Sequence, residues 1–429
     1  MISLPDSAGL QPQVCPLPDG HNLYLFPSDS TPLVRIDFIH EAGSAYQPQP
    51  LCAAAANRLF TKASDSMSAA EVSEFMDYRG IIVEHSPSSL HCTTTVYLMR
   101  RYFDELLPVL VGLLHEPSFT QESVDVWLRK RKQELMERSH KTNKLARRLY
   151  YQTLFGSDHP LGRYAEPSDA DRLTRDAVMH FFHERYSSGA DIVLSGNIDD
   201  SVYTNNNVFN SLIGTHPQPQ RRIASLGCHT VADGSSRHTA LKGAVQTSLR
   251  AGRVLPVAWN DPEYARLMLL TTLLGGYFGS RLMSNLREDK GYTYGVNART
   301  QIFRGVIVFY IVTDVAAGTA EAAESEMKRE LQRLCDTPVD TDELQMVKQV
   351  MVGDFLRSVD GIFERAERFC QMHSADVDER LTDNLRAALA SATPADLQAT
   401  ACRWLRPEQM LWCRAGAEGD MAGGCQPLL

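Results

Sequence analysis

Residues 274–296 read Leu-Gly-Gly-Tyr-Phe-Gly-Ser-Arg-Leu-Met-Ser-Asn-Leu-Arg-Glu-Asp-Lys-Gly-Tyr-Thr-Tyr-Gly-Val. Gly275, Gly276 and Gly279 form a turn, and Ser280–Glu288 has the apolar spacing of a short amphipathic helix. Lys290-Gly291 turns the chain again, and a strand follows from Tyr294. This order places Arg287 at a helix C-terminus and Tyr294 at the head of a strand. Each has an ordinary structural role available: an arginine complements the negative end of the helix dipole, and a strand tyrosine packs with its hydroxyl satisfied.

Working outward, the second half of the chain reads as a strand over 246–255, a helix over 262–274, the helix 280–288, strands over 294–300 and 306–313, and helices over 318–334 and 342–358. The first half runs in the same order. Strands over 22–26 and 33–39 precede an alanine-rich helix over 51–62, and Ser68-Ala-Ala-Glu71 is a capping box opening a helix that Gly80 ends. Strands over 81–85 and 91–98 and helices over 101–114 and 122–151 complete it. Linking phrases repeat as well: His115-Glu-Pro-Ser-Phe-Thr-Gln-Glu-Ser-Val in the first half matches Cys335-Asp-Thr-Pro-Val-Asp-Thr-Asp-Glu-Leu in the second. Self-similarity at half the chain length predicts a duplicated α+β domain: two homologous α/β-sandwich halves, each an antiparallel-rich sheet with helices on one face. The boundary is expected in 199–238, where Asn205-Asn-Asn207, His216-Pro-Gln-Pro-Gln220 and Gly234-Ser-Ser236 lack apolar periodicity. The expected division is 1–215, a linker at 216–240, and 241–429.

A length of 429 residues with 43% hydrophobic and 22% charged residues fits a folded protein of two to three domains. The net charge of −9 and the lack of a long basic block argue against nucleic acid. No apolar run approaches the length of a membrane span, and the N-terminal stretch Met1–Val14, which contains Asp6, does not read as a leader; no membrane association and a cytoplasmic location are expected. Nine cysteines without a CxxC pair predict reduced, mostly buried thiols.

The glycine turn, Ser280-Arg-Leu282, Leu286-Arg-Glu288, Gly291 and Tyr294 together resemble the second-domain signature of the insulinase-type (pitrilysin-like, inverzincin) zinc peptidases. His159-Pro-Leu-Gly-Arg163 and Gly196-Asn-Ile198 are further family-like phrases, so the resemblance covers nearly the whole chain. It implies two related halves closing like a clam around a chamber, with Arg287 and Tyr294 acting on substrate and Gly275, Gly276 and Gly279 lining its path. The family also carries H-x-x-E-H on its first helix: two histidines on one helical face hold zinc, and the glutamate between them activates water. With Leu59-Phe60 placed on the apolar pair that trails this motif, the histidine positions fall on Ala53 and Asn57 and the glutamate position on Ala56. Only Glu134 stands where the distal glutamate ligand belongs. One carboxylate does not hold a catalytic zinc, which takes three protein ligands, so no metal is expected in this chain.

Other groups offer less. His180 and His183 have a helical spacing that could bind a metal but sit at a helix end that suits histidine. His85 and His91 flank a turn without a third ligand, and Asp104-Glu105, the Glu321–Glu330 stretch and Asp376–Glu379 read as solvated helix faces. No G-x-S-x-G elbow occurs, and no Gly-Lys-Ser/Thr follows the glycine turn to make a phosphate loop.

A chain with the Arg/Tyr signature and no zinc ligands is expected to be inactive alone. The resemblance implies a heterodimer in which an H-x-x-E-H subunit holds the zinc and this chain supplies Arg287 and Tyr294 to an unfolded peptide in trans. A non-enzymatic scaffold or binding protein of the same fold is the alternative, and an autonomous zinc peptidase with a displaced site is a third reading. A homodimer stays open.

Overall fold

A computed structural model of the protein describes Leu4 and residues 11–199, 223–227 and 234–421. Among these residues eleven strands form two sheets. The first holds β1 (Gln13–Pro16), β2 (Asn22–Pro27), β3 (Leu33–His40), β4 (Ile82–Pro87), β5 (Cys92–Met99) and β6 (Asp191–Gly196). The second holds β7 (Ser236–Ala240), β8 (Gln246–Leu255), β9 (Thr293–Phe303), β10 (Val306–Ala316) and β11 (Leu411–Gly416). Their spatial orders are β1-β2-β6-β3-β5-β4 and β7-β11-β8-β10-β9. Leaving out the edge strand β1, the two orders are the same when strands are matched in sequence. In each, the first pair is parallel and the rest are antiparallel. The repeated phrases occupy equivalent joints: one links helices Phe103–His115 and Gln121–Ser139, the other Ala320–Asp336 and Thr341–Arg357. Thr120 and Asp340 cap the second helix of each pair, directly after the buried Phe119 and Val339.

Side chains alternate across each sheet as a strand's period of two requires. On β3, Val34, Ile36 and Phe38 enter the first half's own helical core, while Ile39 joins a separate cluster on the opposite face. That opposite face is covered by the helix Ile362–Ser374 of the second half, through Ala366, Cys370 and Phe369 against Tyr24, Phe26 and Val193. The exchange is reciprocal. Helix Thr142–Phe155, from the first half, packs on β8 and β11, with Tyr150 and Leu154 among Val308, Leu411 and Cys413. Gly252 on β8 makes this approach possible: its φ is 151°, and an added Cβ would lie 2.0 Å from the Phe309 carbonyl oxygen and 2.5 Å from the Tyr150 hydroxyl. Each half's own helices therefore cover one face of its sheet and the partner half's exchanged helix covers the other.

Polar contacts reinforce the joint. The Arg304 guanidinium reaches Glu41 at 2.7 and 3.2 Å, and the Glu41 carboxyl also meets His91 Nε2 at 3.0 Å and the Tyr46 hydroxyl. Arg35 donates to Asp37 at 2.8 Å and also to Glu367 on the exchanged helix. His373 pairs with Asp191 at 2.8 Å.

Several expectations change. The single helix over 122–151 is two, Gln121–Ser139 and Thr142–Phe155. The break lies in Ser139-His-Lys-Thr142, which offers no apolar face, and Lys141 takes an extended conformation there. The α-helix expected over 262–274 ends at Thr271, and Thr272–Gly276 continues as a wider π-turn. Glu324 and Glu330 are buried rather than solvated: Glu324 accepts from Arg414 and Lys328, and Glu330 from Asn285 and Arg333. Of the boundary phrases, Asn205-Asn-Asn207 and His216–Gln220 lie outside the described residues, as do most of Met1–Val14 and the thiols Cys228 and Cys425. The seven described cysteines are free.

The capping box forms as the sequence predicts, Ser68 accepting from the Glu71 N–H while Glu71 accepts from the Ser68 N–H at 2.8 Å. Ser68→Ala is expected to destabilise the fold by about 1 kcal/mol in chemical denaturation. A loss below the error of the measurement would mean that this helix end is held by packing alone.

Candidate functional site

The metal-motif helix, Cys52–Leu59, lies against the helix Gln121–Ser139, which carries Glu134. Asn57 and Glu134 line one cavity of about 690 Å³, so the fold keeps the two elements that a zinc site would use side by side. The residues present do not fit a zinc ion. Ala53 and Ala56 are packed into the first-half core and have no ligand atom. Asn57 is fully buried, donates its amide N–H to the Thr94 hydroxyl at 3.0 Å, and offers only a neutral amide oxygen, a poor zinc ligand. Glu134 accepts from Arg131 at 2.9 Å.

The charge around this position opposes a cation as well. Arg58, Lys62, Lys130 and Arg131 line the same cavity. His85 lines it too, hydrogen-bonded to Thr61 at 3.1 Å, and burial together with Arg58 and Lys62 pushes its pKa down to about 3. His91, which the turn could have brought beside it, points instead to Glu41. His180 and His183 are both exposed, and no cluster of three metal-ligating side chains occurs among the described residues.

The signature segment is built in two layers. Leu282 and Leu286 are buried in the second-half core. Arg281 forms a two-pronged pair with Glu343 at 2.8 and 2.7 Å, and Asn285 donates to Glu330 and Glu326 at 2.8 and 3.0 Å, which ties the segment to the helices Ala320–Asp336 and Thr341–Arg357. Two π-turns, Thr272–Gly276 and Met283–Asp289, bracket the glycine loop; such turns often mark functional positions. Gly275 packs so closely on β9 that a Cβ would lie 2.7 Å from the Ala298 nitrogen, which accounts for that glycine without a ligand. Gly279 is exposed, and Gly276 is half-buried.

Against this anchored layer, Tyr294 faces outward and Arg287 is half-buried. Among the described residues Arg287 has no ion-pair partner; its guanidinium rests 4.7 Å from the centre of the Phe278 ring. Tyr294 is 91% exposed, Phe278 62% and Met346 55%, and the Tyr277 hydroxyl reaches the Met346 sulfur at 3.8 Å. Neither Arg287 nor Tyr294 lines the Asn57–Glu134 cavity or the second cavity, of about 770 Å³, which lies between the halves. Arg287 and Tyr294 thus lie outside both cavities. Sequence reading did not single out the cationic lining; Arg129-Lys-Arg-Lys132 was its one local sign, and such a run on a helix ordinarily faces solvent.

Among the described residues no helix is long and apolar enough to cross a membrane.

Comparison with known proteins bears on these features. Residues 172–351 match the family described as "Peptidase M16 inactive domain". The chain is 23% identical over 304 residues to the "Non-peptidase homolog YmxG" of Helicobacter pylori, a match covering 69% of this chain and 68% of that protein. It is 21% identical over 236 residues to the "Probable inactive metalloprotease YmfF" of Bacillus subtilis, covering 54% of this chain and 53% of that one. In fold it is similar to a crystal structure of a peptidase M16 inactive domain from Pseudomonas fluorescens, with a TM-score of 0.82 at 19% identity over 97% of this chain and all of the other.

Proposed function

We propose, from the premise that this chain is an insulinase-type (M16) relative whose zinc positions hold Ala53, Ala56 and Asn57, that it is the metal-free subunit of a two-chain peptidase. One observation carries the reading: the rest of the signature is anchored while Tyr294 is left exposed and the half-buried Arg287 has no ion-pair partner among the described residues, both outside the cavity beside Asn57. In the assembly, a partner with H-x-x-E-H supplies the metal-activated water. Tyr294 donates its O–H to the carbonyl oxygen of the scissile peptide as charge develops there, and Arg287 fixes a neighbouring substrate carbonyl. The exposed Phe278, Met346 and Tyr294 supply an apolar platform for the peptide beside the loop of Gly275, Gly276 and Gly279. The division into 1–215, a linker at 216–240 and 241–429 belongs to the same proposal.

Mixing the chain with an H-x-x-E-H relative and assaying peptide cleavage tests the assignment. Cleavage is expected to need both chains. Tyr294→Phe should lower kcat by about two to three orders of magnitude, the cost of one oxyanion donor at about 2.7–4 kcal/mol, with KM nearly unchanged. Unchanged turnover in that variant would sink the role of Tyr294. The scaffold alternative predicts that both Arg287 and Tyr294 are dispensable. An autonomous peptidase would require stoichiometric zinc in the purified chain, against the positive charge of the cavity beside Asn57.

A further inference from the structure

The cavity beside Asn57 and the larger cavity between the halves adjoin, sharing Ala54, Pro87 and Arg131. Arg58, Lys62, Lys130, Arg131, Arg147 and Arg163 line them, drawn from three helices and two loops, together with Arg304, which is paired with Glu41, whereas Glu122 and Glu134 are the carboxylates. Glu134 is engaged by Arg131, and among the described residues no carboxylate forms an ion pair with Arg58, Lys62, Lys130 or Arg147. A protein with a net charge of −9 therefore concentrates positive charge along the wall of this one cleft. The crowding is direct. Burial and the neighbouring Arg58 and Lys130 push the Lys62 ammonium down, and burial with Arg131 and Arg147 does the same to Arg138. Like charges gathered in a cleft raise the local concentration of a ligand of opposite sign, and the ligand relieves their repulsion. Apolar surface from Leu59, Val126 and Trp127 lies between the cations in the cavity beside Asn57. That mixture suits a chain on which carboxylates alternate with apolar side chains.

We propose that this cationic wall binds acidic peptide segments in an extended conformation. Volumes of about 690 and 770 Å³ admit a single strand of peptide and not a nucleic-acid duplex. The chain's overall net charge of −9 repels a long polyanion. The inference rests on the peptidase-subunit reading only in taking the occupant to be a peptide; it needs neither a partner nor cleavage.

The test is equilibrium binding to the isolated full-length chain, by fluorescence anisotropy. The probes are a labelled peptide of alternating glutamate and alanine, its lysine counterpart, and a single-stranded oligonucleotide of equal charge. The acidic peptide is expected to bind with an affinity that falls as salt rises, and the lysine peptide not to bind. The double variant Lys130→Glu, Arg147→Glu changes two exposed positions, should keep the wild-type melting curve, and should raise Kd by about tenfold or more. Equal affinity for the lysine peptide, an unchanged Kd in the folded double variant, or tighter binding of the oligonucleotide would each overturn the proposal. Loss of cleavage in trans with binding intact would instead refute the heterodimer reading and leave this site standing.

Discussion

Replacing Arg304 by alanine is expected to destabilise the protein by about 3–5 kcal/mol, because it removes one partner of a buried ion pair and leaves the other desolvated. Arg304 is 2% exposed, lies just before β10 of the second half, and holds Glu41 of the first half and the Ile223 carbonyl. The pH dependence supplies a second readout. Burial alone would raise the Glu41 carboxyl, but hydrogen bonds from His91 and Arg304 outweigh it and hold the group well below its ordinary value of 4.5. A carboxyl depressed in the folded state contributes stability that is full above its unfolded pKa and is lost as the pH falls toward the folded one. Urea midpoints measured downward from neutral pH should therefore drop steeply below about pH 4.5 in the wild type. Glu41→Gln should flatten part of that slope. A wild-type slope persisting undiminished in Glu41→Gln would assign the acid sensitivity to other carboxylates, of which Asp191, held low by His373 against its burial, is the next candidate.

Tyr150→Ala should cost a similar amount, about 3–5 kcal/mol, by emptying a fully buried aromatic site. The ring sits edge-on to Tyr151 at 5.4 Å, and its hydroxyl donates to the Phe309 carbonyl at 2.8 Å. Its location makes the result more specific than a stability loss. The helix Thr142–Phe155 is continuous in sequence with the first half but packs on the second sheet, so the variant should loosen β8 and β11 before β3 and β5. Amide hydrogen exchange resolves the two sheets. Tyr150→Phe, which keeps the ring, should cost only about 1 kcal/mol. Uniform loss of protection across both sheets would contradict the proposed order of opening.

Much of the architecture is legible in single-sequence patterns. β8 coincides with the strand-like stretch from Gln246 to Leu255, and the two linking phrases lie at equivalent joints of the two halves. These features depend on local signals: a period of two, a capping serine, a glycine that ends a helix. Strands β7 and β11 escaped notice because they are short, and β11 is buried along its whole length, leaving no alternation to read. The break at Ser139–Thr142 was hidden by a run of residues that are good helix formers on either side.

The sequence by itself determined the duplication, the resemblance of the signature segment, and the presence of Ala53, Ala56 and Asn57 where that resemblance expects a metal motif, since each depends on which residue stands at which position. Only the tertiary structure decided that the halves exchange a helix, that Glu41 and Arg304 meet across them, and that basic side chains from several elements share one wall. Those facts depend on contacts between residues far apart in the chain. Burial and charge crowding belong to such contacts, and no periodicity along the sequence encodes them.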